Sequence, residues 1–228
     1  MALPMNQKEK SETITRYNER LAEYGYDPLA LGWTKQKHVL RYHALLSNWK
    51  FKGESILDFG CGFGDLYKYI VQNGILLSYE GIDINENLIA VGKEKNPGIN
   101  LRVGDLELDG REDCYDFIVS SGVHNYKLND NWAFIQWTFE KFYRMSRRGF
   151  AINFLSNRVN ITRSDLYYCD PVKVVELAYK YTNNILLKND YMPFEYTIVV
   201  NVKREFDRDC VVYPEYKGYI TGNEDVKC

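Results

Sequence analysis

The chain of 228 residues predicts an α/β fold built on a parallel sheet, and two observations carry that prediction. An apolar run, Ile56-Leu57, ends in Asp58 and enters a turn with glycines at 60, 62 and 64. From there to residue 155 strand-like and helical patterns alternate, which is the rhythm of βαβ units.

Ahead of that turn, Ile14, Tyr17, Leu21 and Tyr24 recur at helical spacing and stop at Gly25, and Val39, Tyr42, Leu46 and Trp49 repeat the pattern. They predict an N-terminal helical addition over residues 1–50. Residues 65–73, with Leu66, Tyr69 and Ile70 on one face, form a helix closed by Gly74. A strand over 79–84, a helix over about 87–95 and strands over 101–103 and 115–120 follow. The long amphipathic stretch 131–146 carries Trp132, Ile135, Phe139, Phe142 and Tyr143 inward and ends before Gly149. Residues 150–155 make the next strand. Beyond Asp170-Pro171 come a helix to about 181 and two further strands, 185–187 and 196–202. The core domain thus spans 51–204, and residues 205–228, polar and punctuated by Pro214, Gly218 and Gly222, read as an irregular tail.

Composition narrows the function. A formal charge of −2 offers no broad cationic surface for nucleic acid. The trio Arg144, Arg147 and Arg148 is read as a helix C-terminus whose carbonyls attract cations. Five cysteines, at 61, 114, 169, 210 and 228, contain no Cys-x-x-Cys pair and accompany only three histidines, so neither a metal site nor a disulfide framework is supported. A reducing cytoplasm is the expected location. No run approaches a membrane span, and the first residues lack the apolar core of a signal peptide.

The glycine turn places a ligand above Asp58, Gly60, Cys61 and Gly62, because glycine admits positive φ and close approach. A dinucleotide fingerprint would put its third glycine at position 65, but Asp65 stands there and the third glycine comes early, at 64. Asp83, followed by Ile84, ends the second strand and is placed to accept bonds from ribose hydroxyls. Asp105 and Leu106 end the third strand; Ser120 ends the fourth.

An acid at 58, then Gly-x-Gly-x-Gly, then Asp83, Asp105 and the run 115–122 in that order resemble the motifs of class I S-adenosylmethionine (SAM) dependent methyltransferases over roughly residues 35–203. The resemblance implies a Rossmann-like, seven-stranded, mostly parallel sheet with an antiparallel last strand, helices on both faces and SAM as cofactor. It also implies S-adenosylhomocysteine (SAH) as product and the adenine amino group on Asp105, with the Leu106 amide at the ring. The N-terminal addition then becomes a lid or a helical pair packed at the sheet edge. Methyl transfer is a direct displacement, so positioning and exclusion of water supply most of the catalysis.

Where the acceptor is a hydroxyl, a base helps, and His124 in the loop after the fourth strand is the first candidate for base or acceptor-positioning group, with Tyr126 second. A packed loop imidazole is the alternative. That loop lacks the Asn-Pro-Pro-Tyr or Asp-Pro-Pro-Tyr of enzymes acting on DNA bases or glutamine amides. Residues 153–158 and 190–196 are candidates for the acceptor pocket, with Arg158 or Arg163 as anion ligands. These segments resemble a bacterial group linked to polysaccharide or natural-product pathways. The expected partner is therefore a small polar methyl acceptor, a sugar, phosphate derivative or biosynthetic intermediate, methylated on oxygen or nitrogen. Two other readings stay open at this stage, a nicotinamide-dependent oxidoreductase and a non-catalytic SAM-binding partner subunit.

Overall fold

The structure, a computed structural model, describes residues 2–34, 37–107, 109–202 and 205–220. Its centre is a seven-stranded sheet: β1 (Glu54–Phe59), β2 (Leu77–Asp83), β3 (Leu101–Val103), β4 (Tyr115–Ser120), β5 (Ser146–Leu155), β6 (Ile185–Lys188) and β7 (Glu195–Asn201). Their spatial order is β3-β2-β1-β4-β5-β7-β6. Strands β1 to β5 pair in parallel, and β7 runs antiparallel to both β5 and β6. The expected sheet, including its reversed last strand, is what the chain forms.

Period-two alternation divides the sheet's two faces. Leu57, Ile118, Phe150, Ile152, Ile198 and Val200 face α5 (Asn131–Met145) and α6 (Pro171–Ala178). Their neighbours Ile56, Phe117, Val119, Ala151 and Val199 face α2 (His38–Leu46) and α3 (Asp65–Gln72). On the first face Phe150 meets Phe139 and Phe142 edge-to-face, with centroids 5.3 and 5.7 Å apart, the arrangement that aligns ring edges with ring faces. Asp130 caps α5 by accepting from the Ala133 amide at 2.9 Å, and Asp170, with Pro171 behind it, caps α6 at Val172.

The two N-terminal helices occupy different places. Helix α2 is built into the core through Tyr42, Leu45 and Leu46, whereas α1 (Gln7–Tyr24) lies across the carboxyl end of the sheet beside α4 (Glu86–Lys95). A capping box between Asn6 and Glu9 starts α1. The Glu9 carboxylate also accepts from the Asn129 amide at 2.8 Å, and Asn85 donates to the Ile14 carbonyl and to Asn18. Tyr24 and Val39 are exposed, and Trp49 lies past the end of α2, tilted against Phe117 with ring centroids 4.3 Å apart.

Two expectations need correction. Helix α5 turns into β5 without a loop, because buried Met145 ends one and buried Ser146 begins the other. Gly149 is thus a strand glycine, where a Cβ would stand 2.6 Å from the Val200 carbonyl oxygen. Only Arg144 of the basic trio sits in the helix's last turn; Arg147 and Arg148 are strand residues paired with Asp116 at 2.9 Å and Glu54 at 2.5 Å. The second correction concerns sulfur: Cys61, Cys114 and Cys169 are free thiols, but Cys210 is disulfide-bonded. Residues 205–220 hold an Asp207–Val212 bridge, a 3-10 turn and one helical turn. No helix of the described residues is long and apolar enough to cross a membrane.

Phe139 of α5 is fully buried against the sheet. Phe139→Ala should lower unfolding free energy by about 3–5 kcal/mol through lost burial and the cavity left behind. Urea titration should show an earlier midpoint at unchanged slope.

Candidate functional site

Strand order reverses beside β1, whose neighbours β2 and β4 are reached by connections leading to opposite sides, and a crevice opens at the carboxyl ends of these strands. It encloses about 1160 Å³ of empty space, open solvent at its mouth included. Asp58, Gly60, Cys61 and Gly62 form its floor, Asp83, Ile84 and Asp105 one side, and Ser121, Gly122, Val123 and Tyr126 the other. Helix α1 supplies Lys10, Ile14 and Tyr17 to the outer wall, and Leu31 and Trp33 complete it.

The floor is fixed by its own hydrogen bonds. The Gly60 and Cys61 amides donate to the Ile82 carbonyl at 2.8 and 3.1 Å, and the Gly62 amide donates to Asp83 Oδ2 at 2.9 Å. Asp83 Oδ1 accepts from the Asn85 amide at 2.9 Å. Gly60 and Gly62 have φ of +74° and +55°. A Cβ on Gly60 would meet Val123 Cγ2 at 2.1 Å, so the loop after β4 can close on the turn only over glycine.

Burial raises the Asp83 carboxyl, opposed by the amides of Asn85 and Gly62, and pushes Asp58 up to about 7, opposed by the Tyr79 hydroxyl that donates to it at 2.8 Å. Burial also acts on Asp105, but Lys10, 2.7 Å away, outweighs it and holds that carboxyl below its usual range. Lys10 pairs with Glu107 as well, so α1 is fastened to the tip of β3 by charge.

Most of the expected site is gathered here. Asp58, Gly60, Cys61, Gly62, Asp83, Ile84, Asp105 and Tyr126 all line the crevice. Leu106 and Ser120 do not; both are fully buried behind it, and their neighbours Asp105, Glu107 and Ser121 face it instead. His124 is also set back. It is 2% exposed, packed between Phe134 and Phe154 at ring distances of 4.9 and 5.3 Å, with both ring nitrogens unpartnered. Burial pushes its pKa down to about 3. Arg158 and Arg163 are exposed and paired with Asp170 and Asp165, away from the crevice lining. Among the described residues no group of His, Cys, Asp and Glu is arranged to hold a metal. Sequence reasoning missed Lys10, for which local spacing carries no signal.

A family model described as "Methyltransferase domain" matches residues 56–149. "Putative methyltransferase Rv1506c" of Mycobacterium tuberculosis (strain ATCC 25618 / H37Rv) is 31% identical over 164 residues, covering 64% of this chain and 92% of that protein. The chain belongs to the class I SAM-dependent methyltransferases. Magnesium protoporphyrin IX methyltransferase from Synechocystis PCC 6803, solved with bound SAM, shares the fold: TM-score 0.59, 16% identity, 85% of this chain and 96% of that one. A TehB-like SAM-dependent methyltransferase from Corynebacterium glutamicum ATCC 13032 Kitasato aligns with TM-score 0.52 and 23% identity over 87% of this chain and 100% of that one.

SAM is therefore the cofactor of this methyltransferase, and the crevice suits it. The glycine floor admits a ligand against backbone, and each Asp83 oxygen, having accepted one amide, retains capacity for a hydroxyl. When bound, SAM supplies the electrophilic methyl group. The nicotinamide reading falls with this assignment: Asp65, where its glycine would be needed, opens α3 and accepts from the Tyr26 hydroxyl at 3.0 Å.

Asp58 gives a pH signature. Its folded pKa near 7 lies above the ordinary value of about 4, so its favourable contribution is complete below about pH 4 and is lost as pH rises through 7. Asp58→Asn, which can still accept from Tyr79, should gain stability relative to the ligand-free wild type across that window and level off above it. Thermal melts from pH 4 to 8.5 measure the difference.

Proposed function

We propose that this methyltransferase transfers the SAM methyl group to an oxygen or nitrogen of a small polar metabolite in the cytoplasm. The observation that carries the reading is the enclosure of the crevice by α1, Leu31 and Trp33, which leaves a molecule-sized space rather than an open groove for a macromolecule. The net charge of −2 argues in the same direction against nucleic acid. A sugar, a phosphate derivative or a biosynthetic intermediate each fits that size class.

In this reading Asp83 holds the ribose, Asp105 the adenine edge, and the Gly60–Gly62 backbone the amino-acid portion of SAM. Helix α1 acts as the lid, with the Lys10–Asp105 pair as its latch. Transfer needs an acceptor lone pair in line with the methyl carbon, and exclusion of water by the lid favours it. Tyr126, which lines the crevice under the Arg16 guanidinium at 4.1 Å, orients the acceptor. His124 is a neutral imidazole at physiological pH, too weak a base at a pKa of about 3 to draw a proton there; its contribution is to shape the loop.

Incubation of the enzyme with methyl-labelled SAM and a panel of small hydroxyl and amine compounds should yield labelled product and SAH in equal amounts. SAH binding with no transfer to any of them would sink the enzymatic reading in favour of a non-catalytic subunit. Asp83→Ala should weaken SAH binding by about 1–3 kcal/mol, from lost charge-assisted bonds; calorimetry checks it, and an unchanged affinity in a folded variant removes Asp83 from the site. The rate profile of His124→Gln between pH 6 and 8 should keep the shape of the wild type's, because His124 titrates well below that range. A limb near 6.5 that vanishes in His124→Gln would restore His124 as base.

A further inference from the structure

At the end of the crevice away from Asp105, three consecutive residues meet the glycine turn and the loop after β4. Leu31 lies over Gly62, where a Cβ would stand 3.0 Å from its methyl carbons; a Cβ on Gly32 would come 3.6 Å from the Tyr126 hydroxyl; and the Trp33 ring edge rests on Gly122, 2.5 Å from the place of a Cβ. Leu31, Trp33, Gly62, Gly122 and Tyr126 all line the crevice. Trp33 and Tyr126 are half-buried, so their rings keep surface that a ligand in the crevice can reach. Tyr17 stands edge-on to Tyr126 with centroids 6.1 Å apart. Burial, and after it the neighbouring Tyr126 and Asp83, raise the Tyr17 hydroxyl above its usual range, so Tyr17 adjoins both this end and the acid assigned to the ribose.

Charge is distributed unevenly around these rings. The Arg16 guanidinium covers Tyr126 at 4.1 Å and the Arg41 guanidinium covers Trp33 at 4.2 Å; neither arginine lines the crevice, so each backs the side of its ring turned away from it. Arg41 is held by Glu195, to which its Nε donates at 2.6 Å, whereas Arg16 makes no hydrogen bond or ion pair among the described residues. A ring backed by a cation has its π electrons drawn to that side, so its open side disfavours a second cation and favours an electron-rich partner. Anions are disfavoured for another reason. Four carboxylates, Asp58, Asp83, Asp105 and Glu107, line the crevice against one cation among the described residues, Lys10, which already pairs with two of them. None of the described histidines lines it, so a hydroxyl that sheds its proton without a side-chain base is the better acceptor. A phenol, which like tyrosine ionises near about 10, meets that condition far better than an alkyl alcohol.

We propose that Trp33 and Tyr126 form an acceptor slot for an uncharged aromatic molecule bearing a phenolic hydroxyl, and that Arg16, acting through the Tyr126 ring, sets the preference against cations. The inference rests on the small-metabolite reading above and narrows it. The phenolic oxygen bonds to the methyl carbon as the C–S bond breaks, leaving that bond's electron pair on the sulfur of SAH, and gives its proton to water at the mouth of the crevice. Arg16 is a positioning residue in this account; the two rings touch the acceptor.

The test uses the protein saturated with SAH and reads binding by ligand-observed NMR. The probes differ in one property each: 4-methylphenol, 4-methylcyclohexanol without the aromatic ring, 4-hydroxybenzoate with a negative charge, tyramine with a positive one, and methyl glucoside as a polyol. The wild type should bind 4-methylphenol about tenfold or more tighter than any of the others. Trp33→Leu, which keeps an apolar surface without a ring, should bring 4-methylphenol and 4-methylcyclohexanol close to equal. Arg16→Gln should raise tyramine binding relative to 4-methylphenol, a change in selectivity that a merely structural role would not produce. With labelled SAM in place of SAH, the methyl ether of 4-methylphenol should form in step with SAH. Cooperative thermal melts show that the variants are folded, and if Trp33→Leu fails that control, Arg16→Gln and the wild-type order of affinities decide. Absence of 4-methylphenol binding, tighter binding of any other probe, or unchanged ratios in the folded variants would overturn the phenol assignment. The small-metabolite reading stands or falls separately, on transfer to the wider panel of hydroxyl and amine compounds.

Discussion

The carboxylate of Asp83 is the constraint on which the site depends. One oxygen holds the Gly62 amide and the other the Asn85 amide, so a single side chain fixes the glycine turn after β1 to the start of α4. Asn85 then reaches the carbonyl of Ile14, which extends the same chain of bonds to α1. A carboxylate buried this deeply is stabilised by those amides and destabilised by lost hydration, and the balance leaves its pKa raised. Ribose hydroxyls would add donors to an acid that lacks its full complement. The glycine turn, the start of α4 and the outer wall are thereby tied to one group.

The crevice and the polar cluster beside it lie on different halves of the sheet. The parallel half, β3-β2-β1-β4, presents strand ends with acids and glycines; the half containing reversed β7 presents Arg41, Glu195, Asn153 and Thr197. Reversal matters physically, because it brings the beginning of β7 to the same edge as the end of β5, with Glu195 opposite Leu155. A polar cluster can then form at that edge from two segments far apart in sequence, with α2 contributing the cation.

What the sequence disclosed follows from how local each requirement is. The positive-φ glycines and the strand-end acids are set by their own few residues, so residue type and spacing show them. The choice between neighbours at a strand end is not local: Ser120 turns inward and Ser121 faces the crevice, Leu106 is buried while Asp105 and Glu107 reach the surface. The burial of His124 is illegible for a related reason, since loop chemistry gives no sign that Phe134 and Phe154 will enclose the ring. The Arg41–Glu195 pair joins positions 154 residues apart and leaves no trace in any window of sequence. Gly149 resembled a helix stop, but its smallness serves the approach of the Val200 carbonyl across the sheet.

The central claim is that the glycine turn and Asp83 build a site for the adenosyl cofactor of a methyltransferase rather than for a dinucleotide. Calorimetric titration with SAH, run beside NADH, addresses it without any knowledge of the acceptor. Saturable binding of SAH at one site per chain, with no heat from NADH, is the predicted result. Binding of NADH, or absence of SAH binding by the folded protein, would contradict the account.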